Sequence, residues 1–211
     1  MPFQKLVHIG MFWFAMLCCA LLLPVSASAA DVEITPFAGY TMGGDFTETT
    51  TGTNLSLDDT SSYGIMIDIR QKEESWIELY FSRQQTQLRA DEGLLSGKAL
   101  FDVDIDYYHI GGTYGTASGT VRPFVVGTFG ATHFNPRGEN LTSETKFSLS
   151  LGGGVKLALT KHVGIRLDGR WFGTFIGGGG SVFCSSGTCL INVQGDVISQ
   201  FTANAGVILA F

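Results

Sequence analysis

The chain has 211 residues, with 13 basic and 19 acidic side chains for a net charge of −6, 45% hydrophobic residues and 28 glycines. That acidic balance excludes a nucleic-acid surface, which needs a basic face. Beyond residue 30 no stretch approaches eighteen consecutive apolar residues, and apolar spacing at i, i+3, i+4 and i+7 is never sustained, so membrane-spanning helices and a helical domain are excluded as well.

The opening "MPFQKLVHIGMFWFAMLCCALLLPVSASAA" has a single Lys5, an apolar run over 11–23, Pro24 and then small residues. This order reads as a signal peptide over 1–30, cleaved at Ala27-x-Ala29 or Ser28-x-Ala30. A membrane anchor would need ~20 apolar residues, longer than this run. Cys18 and Cys19 leave with the leader, and the mature domain is expected over 31–211. Removing Lys5 from the 13 basic residues leaves 12 against 19 acidic ones.

From there the side-chain period is two, the period of a β-strand, in eight successive runs. The first, 32–41, sets Val32, Ile34, Pro36, Ala38 and Tyr40 against Glu33 and Thr35. The second, 63–70, sets Tyr63, Ile65, Ile67 and Ile69 against Asp68 and Arg70, and the third, 76–84, sets Ile77, Leu79 and Phe81 against Glu78, Tyr80 and Ser82. The fourth, 101–114, sets Phe101, Val103, Ile105 and Tyr107 against Asp102, Asp104 and Asp106; the fifth, 121–134, carries Arg122 and is mixed. In the sixth, 146–159, Phe147, Leu149, Leu151, Val155 and Leu157 oppose Lys146 and Lys156. In the seventh, 163–172, Val163, Ile165, Leu167 and Trp171 oppose Arg166, Asp168 and Arg170, and the eighth, 200–211, alternates Phe201 to Phe211 with Gln200, Thr202 and Asn204. The intervening segments alternate long and short, which sorts tight turns to one end and long loops to the other, the pattern of an outer-membrane barrel.

The polar faces carry Glu33, Asp68, Glu78, Asp102, Asp104, Asp106 and Asp168 against Arg70, Arg122, Lys146, Lys156, Arg166 and Arg170, seven acids and six bases. In hydrocarbon the apolar face turns outward and this nearly neutral set turns inward, where opposite charges pair and barrel closure leaves no strand edge bare. A soluble lipocalin-like barrel would reverse the two faces. The fold expected is all-β: an eight-stranded antiparallel up-and-down transmembrane β-barrel, with the basic cluster of Lys156, Arg166 and Arg170 meeting the acids of the fourth strand across the axis.

The stretches "ELYFSRQ" (78–84), "DYYHIGGTYG" (106–115), "RPFVVGTFGATHF" (122–134) and "ETKFSLSLGGGVKLALTKHVGIRLDGRWF" (144–172), with a terminal Phe211, resemble the outer-membrane β-barrel domain family of Gram-negative bacteria, small eight-stranded porin-like barrels. The resemblance implies the outer membrane as location, with both termini periplasmic and lipid and lipopolysaccharide as surroundings. It also implies that Phe211 is the signal read by the outer-membrane assembly machinery.

Three local features call for a chemical reading. "DVDIDY" (102–107) has the opening spacing of an EF-hand, but Tyr107 stands where the loop needs Gly and Thr113 where it needs Glu, so salt bridging to lumen bases is preferred to cation binding. "CSSGTC" (184–189) in an exported chain reads as a Cys184–Cys189 disulfide restraining the longest loop. His109, His133 and His162 lack a nucleophile-elbow serine, which leaves His133 as a rim residue and no catalytic assignment, and "GGGG" (177–180) has no following Lys-Ser to make a phosphate cradle. No metal or cofactor is expected. An eight-stranded barrel is just wide enough to be filled by side chains. The function expected is therefore a non-enzymatic, monomeric envelope protein displaying acidic Ser/Thr/Gly-rich loops such as 43–62, with a narrow channel for ions or small solutes as the alternative and Tyr80 and Tyr108 helping to fill the lumen.

Overall fold

A computed structural model describes residues 32–48, 54–90, 99–116, 118–137, 142–176, 181–185, 188–194 and 197–211. Eight long strands form the wall: β1 (Val32–Gly43), β2 (Thr60–Lys72), β3 (Ser75–Ala90), β4 (Ala99–Gly115), β5 (Val121–Arg137), β6 (Glu144–Ala158), β7 (Val163–Phe175) and β8 (Val197–Ala210). Each pairs antiparallel with its chain neighbour, and β1 pairs with β8 through Ile34 opposite Leu209, so the sheet closes on itself. The signal peptide expected over 1–30 and the glycine run 177–180 lie outside the described residues.

Tight turns at 73–74, at 118–120 with Gly119 at φ 98°, and at 159–162 gather at one end together with the start of β1 and the end of β8, where Phe211 N donates to Val32 O at 2.9 Å. This is the turn end; the other is the loop end. At the loop end the wall continues past the expected strand limits. β3 runs to Ala90 rather than 84, and four short strands extend the sheet above it. Asn54–Leu57 pairs with β3 and with Phe46–Glu48, which in turn pairs with Thr188–Gln194, itself paired with Ser181–Ser185. The first and last long loops thus share backbone hydrogen bonds.

Glycine decides the approach of β6 to β7. Gly152 and Gly154 sit opposite Arg170 and Asp168 on the inner face, and a Cβ at Gly154 would lie 2.1 Å from Leu167 O and 2.7 Å from Asp168 Cα. Their missing side chains leave the lumen on that side to Arg166, Asp168 and Arg170.

On β3 the buried inner row is Trp76, Glu78, Tyr80, Ser82, Gln84, Thr86 and Leu88, while Leu79 is exposed outward. Outward-facing Ile65, Leu79, Ile110, Phe129, Leu151, Leu167 and Val207 form an apolar band. Tyr40, Tyr63 and Tyr108 border it on the loop side, and Tyr114 and Phe211 on the turn side, the aromatic girdles of a barrel in a bilayer.

The fourth strand corrects the expectation. Val103, Ile105, Tyr107, His109 and Thr113 form its buried inner row, while Asp102, Asp104 and Asp106 face outward and Tyr108 is half exposed to the outside. Both rows alternate, so period alone gives no direction. The reversal occurs because this part of β4 stands above the apolar band, where water rather than hydrocarbon meets the outer face.

Candidate functional site in the barrel lumen

Six strands contribute to one buried ionic cluster in the turn-end half of the lumen. On β7, Arg166, Asp168 and Arg170 share the inner face two residues apart, and Asp168 accepts from Arg166 Nε and Arg170 Nε at 2.9 Å each. Across the lumen Arg170 forks onto Glu78 of β3, Nη1 to Oε1 at 2.6 Å and Nη2 to Oε2 at 3.0 Å. Arg166 reaches Glu78 Oε2 at 2.6 Å and Asp68 Oδ2 of β2 at 2.7 Å. Lys156 Nζ of β6 donates to the same Asp68 oxygen at 2.9 Å and to Glu33 of β1, and Asn204 Nδ2 of β8 caps Asp168 Oδ1 at 2.9 Å. Aromatic faces cover the cations: Arg170 lies 4.5 Å from the Tyr80 centroid and Arg166 4.4 Å from that of Phe124. Arg166, Arg170, Glu78 and Asp68 are essentially sealed from solvent. Charges this deep are tolerated because each has several charge-assisted partners, and removing one partner of such a set typically costs ~3–5 kcal/mol.

Above the cluster comes an aromatic and amide layer. Phe37 stacks on Tyr80 at 5.3 Å, Phe172 packs on Tyr107 at 4.3 Å, and Tyr107 Oη donates to Gln200 Oε1 at 2.7 Å, whose Nε2 donates to Gln84 Oε1 at 3.2 Å. His109 is buried here, with Nδ1 3.0 Å from Thr128 Oγ1 and Nε2 2.8 Å from Ser148 Oγ. The loop-end half is apolar: Leu55, Leu57, Leu88, Val103, Ile105, Phe134, Ile176 and Ile198 are all buried and belong to one cluster. Side chains therefore occupy the lumen from the ion pairs to the loops.

The structure sorts the sequence-derived residues into four groups. Glu33, Asp68, Glu78, Lys156, Arg166, Asp168 and Arg170 meet in the cluster. Lys146, on the inner face near the loops, pairs with Glu144 at 3.0 Å. Arg70 stacks on Trp76 and Arg122 donates to Gly119 O, both at the turn end. Asp104 and Asp106 pair on the outer rim with Arg137 at 2.9 Å and Arg83 at 2.7 Å, and Asp102 accepts from Gln87, so the bases of β6 and β7 meet acids of β1, β2 and β3 instead of the β4 acids. Cys184 stands directly opposite Cys189 in the backbone register of the last hairpin. His133 is half-buried on the outer face, 2.9 Å from Thr145 Oγ1. Sequence reading missed His109 and Gln84 as lumen fillers, although their inner parity was readable from the neighbours two residues away, whereas Gln200 fills the lumen from the polar row of the eighth run.

The family model described as "Outer membrane protein beta-barrel domain" matches residues 15–206. Among solved structures, Neisserial surface protein A is similar at 15% identity and a TM-score of 0.57, covering 88% of this chain and all (100%) of that one. The outer membrane protein AlkL, solved in lipid bilayers, is similar at 13% identity and a TM-score of 0.52, covering 90% of this chain and 94% of that one. No curated protein matches the sequence.

Proposed function

This chain belongs to the outer membrane protein β-barrel domain family and resides in the cell outer membrane, and from that premise we propose that it is a closed, non-enzymatic platform for its loops. The observation that carries the reading is the continuous filling of the lumen: a buried ionic cluster toward the turns, then an amide and aromatic layer, then an apolar plug. Among the described residues such an interior offers neither a water column for solutes nor a cavity large enough to enclose a substrate. The loop end of this scaffold presents acidic, Ser/Thr-rich segments to the cell exterior amid lipopolysaccharide.

In this reading residues 1–30 direct export and are removed, and the mature domain starts at residue 31. Phe211 closes β8 against Val32 at the periplasmic end, as a signal for the assembly machinery would, and the barrel works as a monomer. Cys184 and Cys189, facing each other across the last hairpin, form a disulfide that restrains its tip. The test is protease treatment of intact cells combined with heat-modifiable gel mobility of the outer-membrane fraction. Cleavage confined to the 44–59, 91–98, 138–143 and 176–196 segments, with the heat-shifted barrel retained, is expected. Cleavage at 73–74 or 116–120 on intact cells would invert the topology and end the proposal.

A further inference from the structure

We propose that the periplasmic mouth of the lumen binds a single oxyanion group, a carboxylate or phosphate, through Arg122 and Thr113, with Arg70 behind Trp76 adding positive charge. The inner face of this half carries Glu33, Asp68, Glu78 and Asp168, all engaged by Lys156, Arg166 and Arg170. Arg70 and Arg122 are left over. Neither forms an ion pair with a carboxylate among the described residues; Arg122 Nε donates only to the carbonyl of Gly119, at 3.0 Å. The inner face of this half therefore holds one more base than acids, inside a low-dielectric wall that strengthens the field on an entering anion.

A small cavity opens at this place, lined by Glu33, Trp76, Thr113, Arg122, Phe124 and Lys156. Its free volume is about 10 Å³, room for one oxygen-sized atom. Thr113, only 3% exposed, sits in its wall, and its Oγ1 has no hydrogen-bond partner in the protein. Arg70 Nε is likewise enclosed and unpartnered, with its guanidinium held 4.4 Å from the Trp76 centroid. Buried donors are normally satisfied, so the idle Thr113 hydroxyl in the cavity wall, beside an Arg122 guanidinium that has no carboxylate partner among the described residues, points to a ligand that accepts from both. Arg70 stands outside the cavity lining, stacked on the wall residue Trp76, and adds its positive charge to the field there, while the Arg122 guanidinium in the wall supplies the N–H edge that matches an oxyanion. Glu33, the one acid in the wall, is neutralised by Lys156. The cavity admits one oxygen of the group, so the rest of the ligand stays in the mouth.

The test adds inorganic phosphate to the refolded barrel in uncharged glycoside micelles and follows the Arg side-chain and Thr113 amide signals by NMR, with a short-chain phosphatidylglycerol as a parallel arm. Saturable shifts at Arg122 and Thr113 are expected. Arg122→Gln should weaken them about tenfold to a hundredfold, the value of one charge-assisted hydrogen bond, and Thr113→Val less. Arg122 has no ionic partner to strand, so its variant folds, and unchanged far-ultraviolet dichroism checks this. Saturation by phosphate identifies a free oxyanion. Saturation by phosphatidylglycerol alone, with the same sensitivity to Arg122→Gln, identifies a headgroup as the source. Absence of saturation in both arms overturns the proposal, as do shifts that Arg122→Gln and Thr113→Val leave unchanged.

Discussion

Between the turn end and the loop end the barrel wall exchanges the chemistry of its two faces. At the level of Leu79 and Ile110 the outer face is apolar, and the inner face beside it carries Glu78 bonded to two arginines. A few residues along the same two strands, Gln85 faces outward beside Asp104, while Leu88, Val103 and Ile105 fill the inside at 0% exposure. The neighbouring medium explains the change. Hydrocarbon cannot solvate a charge, so the lower wall turns its charges inward and pairs them; water can, so the upper wall hides its apolar residues as a soluble protein does. Ion pairs occur in both regions, but Arg83–Asp106 and Arg137–Asp104 have solvent-exposed arginines, whereas Arg170–Glu78 is fully enclosed.

Substitutions can break this contrast, beginning with the cluster. Glu78→Ala strands Arg166 and Arg170 in the lumen and should cost ~3–5 kcal/mol in guanidinium unfolding of the barrel in vesicles. Asp168→Ala should fall in the same range, because it removes the second acceptor, beside Glu78, that both arginines share. Leu88→Ala in the apolar plug should cost ~2–5 kcal/mol by cavity formation, with no change in salt dependence. On the outer face, Leu151→Arg within the apolar band should cost ~2–4 kcal/mol, while Gln85→Arg above it should change stability by less than ~0.5 kcal/mol. Equal costs at those two positions would erase the distinction between the regions. The smallest effect belongs to the rim: Asp104→Asn should cost less than ~1 kcal/mol, and that cost should shrink further in high salt.

Much of the lower half was legible in the sequence, and the upper half was misread for a physical reason. In 63–84 and 163–172 one row is apolar and the other ionic, and only one arrangement suits hydrocarbon, so the inward direction of Asp68, Glu78 and Arg166 follows from solvation. In 101–107 the rows are just as distinct, but direction depends on whether the segment lies inside or above the bilayer, which the alternation of Asp and Val does not encode. The strand ends had the same difficulty. "QTQLRA" (85–90) lacks an apolar outer row and looks like loop, yet its inner residues Thr86 and Leu88 are buried because the wall extends into water. The pairing of Lys156 with Glu33 and Asp68 needed barrel closure, since those residues are 123 and 88 positions apart in the chain.

The central claim is that two chemically different fillings close one lumen, and planar-bilayer conductance of the refolded barrel tests it most directly. The account predicts a silent bilayer for the unaltered protein, and silence again for Glu78→Ala and for Leu88→Ala taken singly, because in each case the other half still blocks the axis. Steady single-channel steps from the unaltered protein would contradict it and make the lumen a conduit.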